Sequence, residues 1–369
     1  MSQLPDWVTR FNKGPRIAQA VKEAGLEDTT QFYSLVGRTP AANSYELDFA
    51  RALIDNEKLG QNDVTDVLTV SLSANDILGH QMGPDSDNQR QMVLALDHDL
   101  DSFFTWLDKK VGLSNVMVAF TADHGIAPIP AQSARLGIAS ARLDLDTFTD
   151  EMNLALTARF SPGKKTAYLL PSQFLGAATQ ELPYIALDPR PFQALNITEE
   201  AAETAFEDAV PAIIQKLGTP LPPPRNSTTL DASRTYSESR LDADPAIAFL
   251  RSRVELAAGK VPNTDFGRRI ANSYTDHGGW YVMLVVTAYQ MELLSNIQTT
   301  HFSPWSYDRH VPLGFFGADF IPGYYRQQVA PVDIAATFAA ILGVNAPSAS
   351  VGHVLTQIIR PAAAETTAR

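Results

Sequence analysis

Asn115-Val116-Met117-Val118-Ala119-Phe120-Thr121-Ala122-Asp123-His124-Gly125 opens as an apolar, β-rich run and closes on a carboxylate, an imidazole and a glycine. Such a run fits a strand buried on both faces. In open α/β sheets ligands bind beyond the carboxyl ends of the strands, so the polar trio stands where chemistry would be placed. Val67-Leu68-Thr69-Val70-Ser71-Leu72-Ser73 has the same character and leads into Ala74-Asn75-Asp76-Ile77-Leu78-Gly79-His80. A third run, Val311 to Gly317, is weakened by Pro312 and Gly314.

Between the first two runs, Val93, Leu96, Leu100, Phe103 or Phe104, Leu107 and Val111 recur at helical spacing. They predict one helix from about Ser86 to Lys110, with an acidic, serine-rich start and a Lys109-Lys110 end that suit the helix dipole. Further helices are expected at about 44–58, 198–217, 244–259 and 332–343, the last stopped by Gly343.

This alternation predicts an α/β fold with a mostly parallel central sheet flanked by helices. From about Pro130 to Asn272 the pattern loosens and proline clusters, most densely over Pro220 to Pro224. That stretch reads as an inserted lobe, 130–272, within one domain spanning 1–369, with the proline run as a stiff surface connection.

Composition narrows the function classes. A formal net charge of -12 sets a repulsive field against nucleic acid and anionic membranes, while a small phosphate ester could still bind at a locally positive metal site. With no cysteine, any metal must be held by oxygen and nitrogen. No run approaches the roughly 20 apolar residues that span a bilayer, and the opening Met1 to Trp7 has neither a basic nor an apolar signal region. No protein partner is evident. Asn196-Ile197-Thr198 and Asn226-Ser227-Thr228 match the glycosylation sequon, a pattern short enough to arise by chance.

The candidate ligands are Asp76 and His80, four apart after the first run, and Asp123 and His124 after the second. Carboxylate and imidazole together suit Zn²⁺ above Ca²⁺. Gly125 would permit a bend that lets the adjacent pair face two different metals. The bland alternative is that Asp123 caps a turn and His124 is a buried histidine with one hydrogen-bond partner. His310, in Thr300-His301-Phe302-Ser303-Pro304-Trp305-Ser306-Tyr307-Asp308-Arg309-His310, precedes its apolar run. It would need an antiparallel edge strand to reach the same rim. Asp276-His277-Gly278 repeats the triplet but comes before its apolar run, and Asp97-His98-Asp99 lies inside the long helix. These two read as loop and solvated helix face.

Val70 to Ser86, Phe120 to Gly125 and Tyr307 to Pro312, with Pro331 to Thr337 and Gly352-His353-Val354-Leu355, resemble the alkaline phosphatase superfamily in order and approximate spacing. The resemblance is to its phosphate-repressible phosphatases and its type I phosphodiesterase/nucleotide pyrophosphatase group. It implies two Zn²⁺ about 4 Å apart and hydrolysis of phosphoric esters through a metal-activated Thr or Ser hydroxyl. One metal would be held by Asp76, His80 and His310. The other would be held by Asp123 and His124 together with an earlier Asp and the nucleophile.

Nothing before Asp76 offers that Asp or that nucleophile, and residues 4–60, including Phe32-Tyr33-Ser34-Leu35, read like the family's middle section. The chain is therefore expected to be a carboxyl-terminal portion with one complete three-ligand metal site, impaired turnover, an exposed sheet edge and poor solubility. The intact family is periplasmic or secreted. A non-catalytic metal-binding pseudoenzyme or truncated product is the alternative, and an α/β binding module with purely structural Asp and His residues is a third.

Overall fold

Ser86 stands ahead of the longest helix and its side chain accepts a hydrogen bond from the Gln89 amide, while Lys109 and Lys110 close the far end. That helix, Asp87–Lys110, forms because a capped start and a cationic finish agree with an apolar stripe. The computed structural model describes residues 4–14, 22, 35–170, 182–217, 247–292 and 297–361. The proline run at 220–224, the sequon at Asn226, the start of the 244–259 helix reading and Phe32 to Ser34 lie outside the described residues. No described helix is long and apolar enough to cross a membrane.

Seven strands are described: β1 (Val118–Thr121), β2 (Ala141–Leu143), β3 (Tyr184–Ala186), β4 (Ile247–Ser252), β5 (Tyr281–Val286), β6 (Gln290–Glu292) and β7 (Leu313–Phe316). The described residues form two units, one within Met1–Gly79, Ser86–Gly125 and His310–Arg369, the other within His80–Asp85 and Ile126–Arg309.

In the first unit the Pro40–Glu57 helix packs on Asp87–Lys110, burying Leu47, Ala50 and Ile54 against Phe103 and Leu107. Leu68 and Leu72 pack onto this cluster. The Val67–Ser73 run is not a strand, which corrects the sequence reading. Among the described residues no ladder forms there, so one side chain row meets the helices and the other faces out, leaving Val67 75% exposed. A strand buried on both faces needs neighbours on both edges.

β1 is shorter than its apolar run because a 3₁₀ turn, Leu113–Asn115, precedes it. It pairs antiparallel with β7, Thr121 opposite Leu313 and Val118 opposite Phe316. The antiparallel edge expected for the third run is therefore present, and it brings the residues after Thr121 and those before Leu313 to the same end of one ladder.

The closing motifs turn out to be structural. Asp333, at the start of the Asp333–Leu342 helix, accepts from the His353 amide at 2.8 Å and the Ala330 amide at 2.9 Å, and Thr337 accepts from the Leu355 amide at 3.1 Å. Gly352 passes so close to the Val332 carbonyl that a Cβ there would stand 2.0 Å from its oxygen. Gly343 ends the helix in the left-handed conformation, φ 67°.

The second unit is built around β5, the middle strand of an antiparallel sheet ordered β3-β5-β4. Its six residues are all buried, and they alternate. Val282, Leu284 and Val286 enter a core with Phe148 and Met152 of the Leu145–Phe160 helix and Phe206 and Val210 of the Glu199–Leu217 helix. Tyr281, Met283 and Val285 face Phe249, Leu256 and Ile270 on the other side. The 244–259 helix reading is corrected here: Ile247–Ser252 is β4, and only Arg253–Ala257 is helical, capped by Ser252. Pairing with β5 overrides local helix preference. β2 and β6 add a short parallel pair.

Candidate metal centre

The helix Ala74–Met82 carries Asp76 in its first turn and His80 in its last, one turn apart on the same face. The His80 Nδ1 lies 2.9 Å from the Thr299 carbonyl oxygen. A carbonyl only accepts, so Nδ1 carries a proton, and in the neutral ring Nε2 then keeps its electron pair. The His80 carbonyl in turn accepts from the amides of Gln298, at 2.7 Å, and Thr299, at 3.2 Å.

Thr299, only 1% exposed, donates its hydroxyl to the Ala127 carbonyl at 2.6 Å, and the Ala127 amide donates to the Thr300 carbonyl. Held at these points, the chain presents His301 with its ring centroid 4.9 Å from that of His80. Two imidazoles thus lie side by side, and the carboxylate of Asp76 stands one helical turn before His80, oxygen and nitrogen chemistry suited to a divalent cation. Sequence reasoning passed over His301. Its signal was proximity in sequence to His310 and no more, since its place depends on hydrogen bonds to residues far away along the chain.

The loop after β1 repeats the device. His124 Nδ1 lies 2.8 Å from the Gly125 carbonyl, again fixing the proton there. Its Nε2 is 3.5 Å from an Asp123 oxygen and 3.9 Å from an Asp76 oxygen, so one imidazole edge faces two carboxylates. The Asp123 side chain is 87% exposed.

His310 is exposed and stands just ahead of β7, at the ladder end from which Asp123 and His124 emerge. The ring that lies beside His80 is that of His301. Asp97 and His98 are exposed on their helix, and His277 lies in an exposed loop 3.4 Å from Asp276, as their sequence contexts suggest. Beside His301 a cavity of about 30 Å³, lined also by Phe302, Ser303, Tyr307 and Asp308, has room for water but not for an ester.

The profile of the type I phosphodiesterase / nucleotide pyrophosphatase family matches residues 10–254. The chain belongs to that family. The chain is 29% identical to alkaline phosphatase PafA of Elizabethkingia meningoseptica over 88% of this chain and 52% of that protein. It is 29% identical to alkaline phosphatase PhoV of Synechococcus elongatus over 89% of this chain and 51% of that protein. A substituted form of PafA, known from a crystal structure, superposes with a TM-score of 0.77 at 24% identity, over 98% of this chain and 67% of that one. The α/β fold is thus that of the alkaline phosphatases. The chain spans about half the length of the curated relatives it matches.

Proposed function

We propose that this family member carries part of a metal-dependent centre for hydrolysing small phosphoric esters, with Asp76, His80 and His301 as donors to one Zn²⁺ and Asp123 and His124 as donors to a second. The observation that carries the reading is the shared tautomer: His80 and His124 each place Nδ1 against a backbone carbonyl, which orients the ring and offers Nε2 to a cation. The donor chemistry, carboxylate with imidazole and no thiolate, fits Zn²⁺.

Bound zinc supplies Lewis acidity toward a phosphoryl oxygen and a counter-charge for the leaving oxygen. The chain's own contribution is orientation. Thr299 holds the His80 ring, and the bonds of residues 298–300 to His80 and Ala127 hold the backbone that carries His301. Asp76 places a negative charge beside both His80 and His124, favouring a cation there over an apolar filling. None of these five side chains is a hydroxyl nucleophile, so turnover supported by them alone is expected to be slow. The setting proposed is periplasmic or secreted, and the substrate a small phosphate ester rather than nucleic acid.

The test is metal analysis of the purified chain after equilibrium dialysis against zinc, with p-nitrophenyl phosphate hydrolysis measured on the same sample. Retention of about one to two equivalents of zinc with weak, zinc-dependent hydrolysis is expected. Zinc content at the level of the dialysis buffer would overturn the reading.

A further inference from the structure

Phe302, the residue after His301, adopts a left-handed backbone conformation, φ 82°. For a residue with a bulky Cβ substituent this region is disfavoured, and such outliers collect where a side chain must be aimed at something. The Phe302 ring centroid lies 4.0 Å from that of His301, which itself lies 4.9 Å from that of His80. His301 thus lies against both rings, and Phe302 is 46% exposed. Phe302 also lines, with His301, the small cavity beside the imidazole ring, so a ligand reaching His301 meets the phenyl ring.

From this juxtaposition we infer that Phe302 is a specificity-determining contact that packs against the organic group of the ester and favours aryl over small alkyl esters. The inference rests on the zinc-centre reading above. A phosphoryl group held by a cation on His80 and His301 would keep its ester substituent within reach of the phenyl ring that lies against His301. An aromatic substituent gains offset or edge contact with the phenyl face, which a methyl group cannot make.

The experiment uses the zinc-loaded chain and two non-hydrolysable probes, phenylphosphonate and methylphosphonate, with affinities from calorimetry and zinc affinity from chelator competition. The wild-type chain should prefer the phenyl probe by about ten-fold. Phe302→Gly, which accepts the left-handed backbone without strain, should reduce that preference below about two-fold and leave zinc affinity within about three-fold, while Phe302→Tyr should retain the preference. A wild-type ratio near one, or an undiminished ratio in Phe302→Gly, would overturn the inference and leave the metal reading standing. A fall of more than about ten-fold in the zinc affinity of Phe302→Gly would also overturn it, because Phe302 would then be acting through His301. Failure of the wild-type chain to take up zinc would overturn both.

Discussion

The Nδ1 of His80 meets the carbonyl oxygen of Thr299 at 2.9 Å across 219 residues of sequence. That one bond fixes the tautomer of a helical histidine and ties it to the backbone that delivers His301.

His301→Ala should therefore weaken zinc binding by about 100-fold, as loss of one of three protein donors, while His310→Ala should change it by less than about three-fold. Chelator competition distinguishes the two variants. A zinc affinity lost in His310→Ala and kept in His301→Ala would reverse the assignment.

Thr299→Val keeps the shape of the side chain but leaves the buried Ala127 carbonyl without the hydroxyl at 2.6 Å. A cost of about 1–3 kcal/mol in unfolding free energy is expected, with about a ten-fold loss of zinc affinity because the His80 clasp loosens. Urea titration and zinc titration read the two effects separately. Stability lost with zinc affinity intact would show that Thr299 supports the unit without orienting His80.

Glu203, 1% exposed on the Glu199–Leu217 helix, accepts from the Val254 amide at 3.1 Å. Glu199 and Glu207 flank it on its own helix, and Arg251, Arg253 and Glu255 face that helix from β4 and the Arg253–Ala257 segment. Burial, with the Glu199 charge adding to it, pushes the Glu203 carboxyl up from 4.5 to about 8, and burial moves Glu207 to about 6. In the unfolded chain Glu203 releases its proton near 4.5, so above that value the folded state holds more protons than the unfolded one. The stability this group contributes is complete below about 4.5 and is lost as pH rises through about 8. Glu203→Gln should flatten the decline and raise the melting temperature at pH 9 by about 4 °C over the wild-type chain. Parallel melting curves for the two proteins from pH 6 to 9 would count against a protonated Glu203.

Gly352→Ala forces a Cβ against the Val332 carbonyl and should cost about 3 kcal/mol or more, since backbone must move to admit it. Gly343→Ala, where the left-handed backbone has open space around it, should cost only about 1 kcal/mol. Thermal denaturation ranks them. Equal costs would mean that the clasp between residues 331–337 and 352–355 is looser than its hydrogen bonds indicate.

Val67→Lys tests the corrected reading of the 67–73 run. With Val67 75% exposed, a change within about 0.5 kcal/mol and reduced light scattering are expected. A loss of several kcal/mol would restore the buried strand.

Much of this molecule was legible in one dimension. Ser86, the lysine pair at 109 and 110, and the apolar stripe between them specify a helix by local capping, charge and periodicity. The antiparallel place of the Leu313–Phe316 strand was posed as the condition under which His310 could reach the rim where Asp123 ends its run, and the pairing is antiparallel. The four-residue spacing of Asp76 and His80 was visible, but the Ala74–Met82 helix that sets them one turn apart was not read from the sequence. Other features depended on partners remote in sequence. Ile247–Ser252 is a strand because β5 pairs with it, and Val67–Ser73 is not one because no described strand does. His301 becomes a neighbour of His80 through hydrogen bonds at Gln298, Thr299 and Ala127 that no local pattern encodes. Periodicity and capping act within a few residues and so are written in the sequence, whereas pairing and convergence are properties of the closed chain, where distant groups satisfy one another.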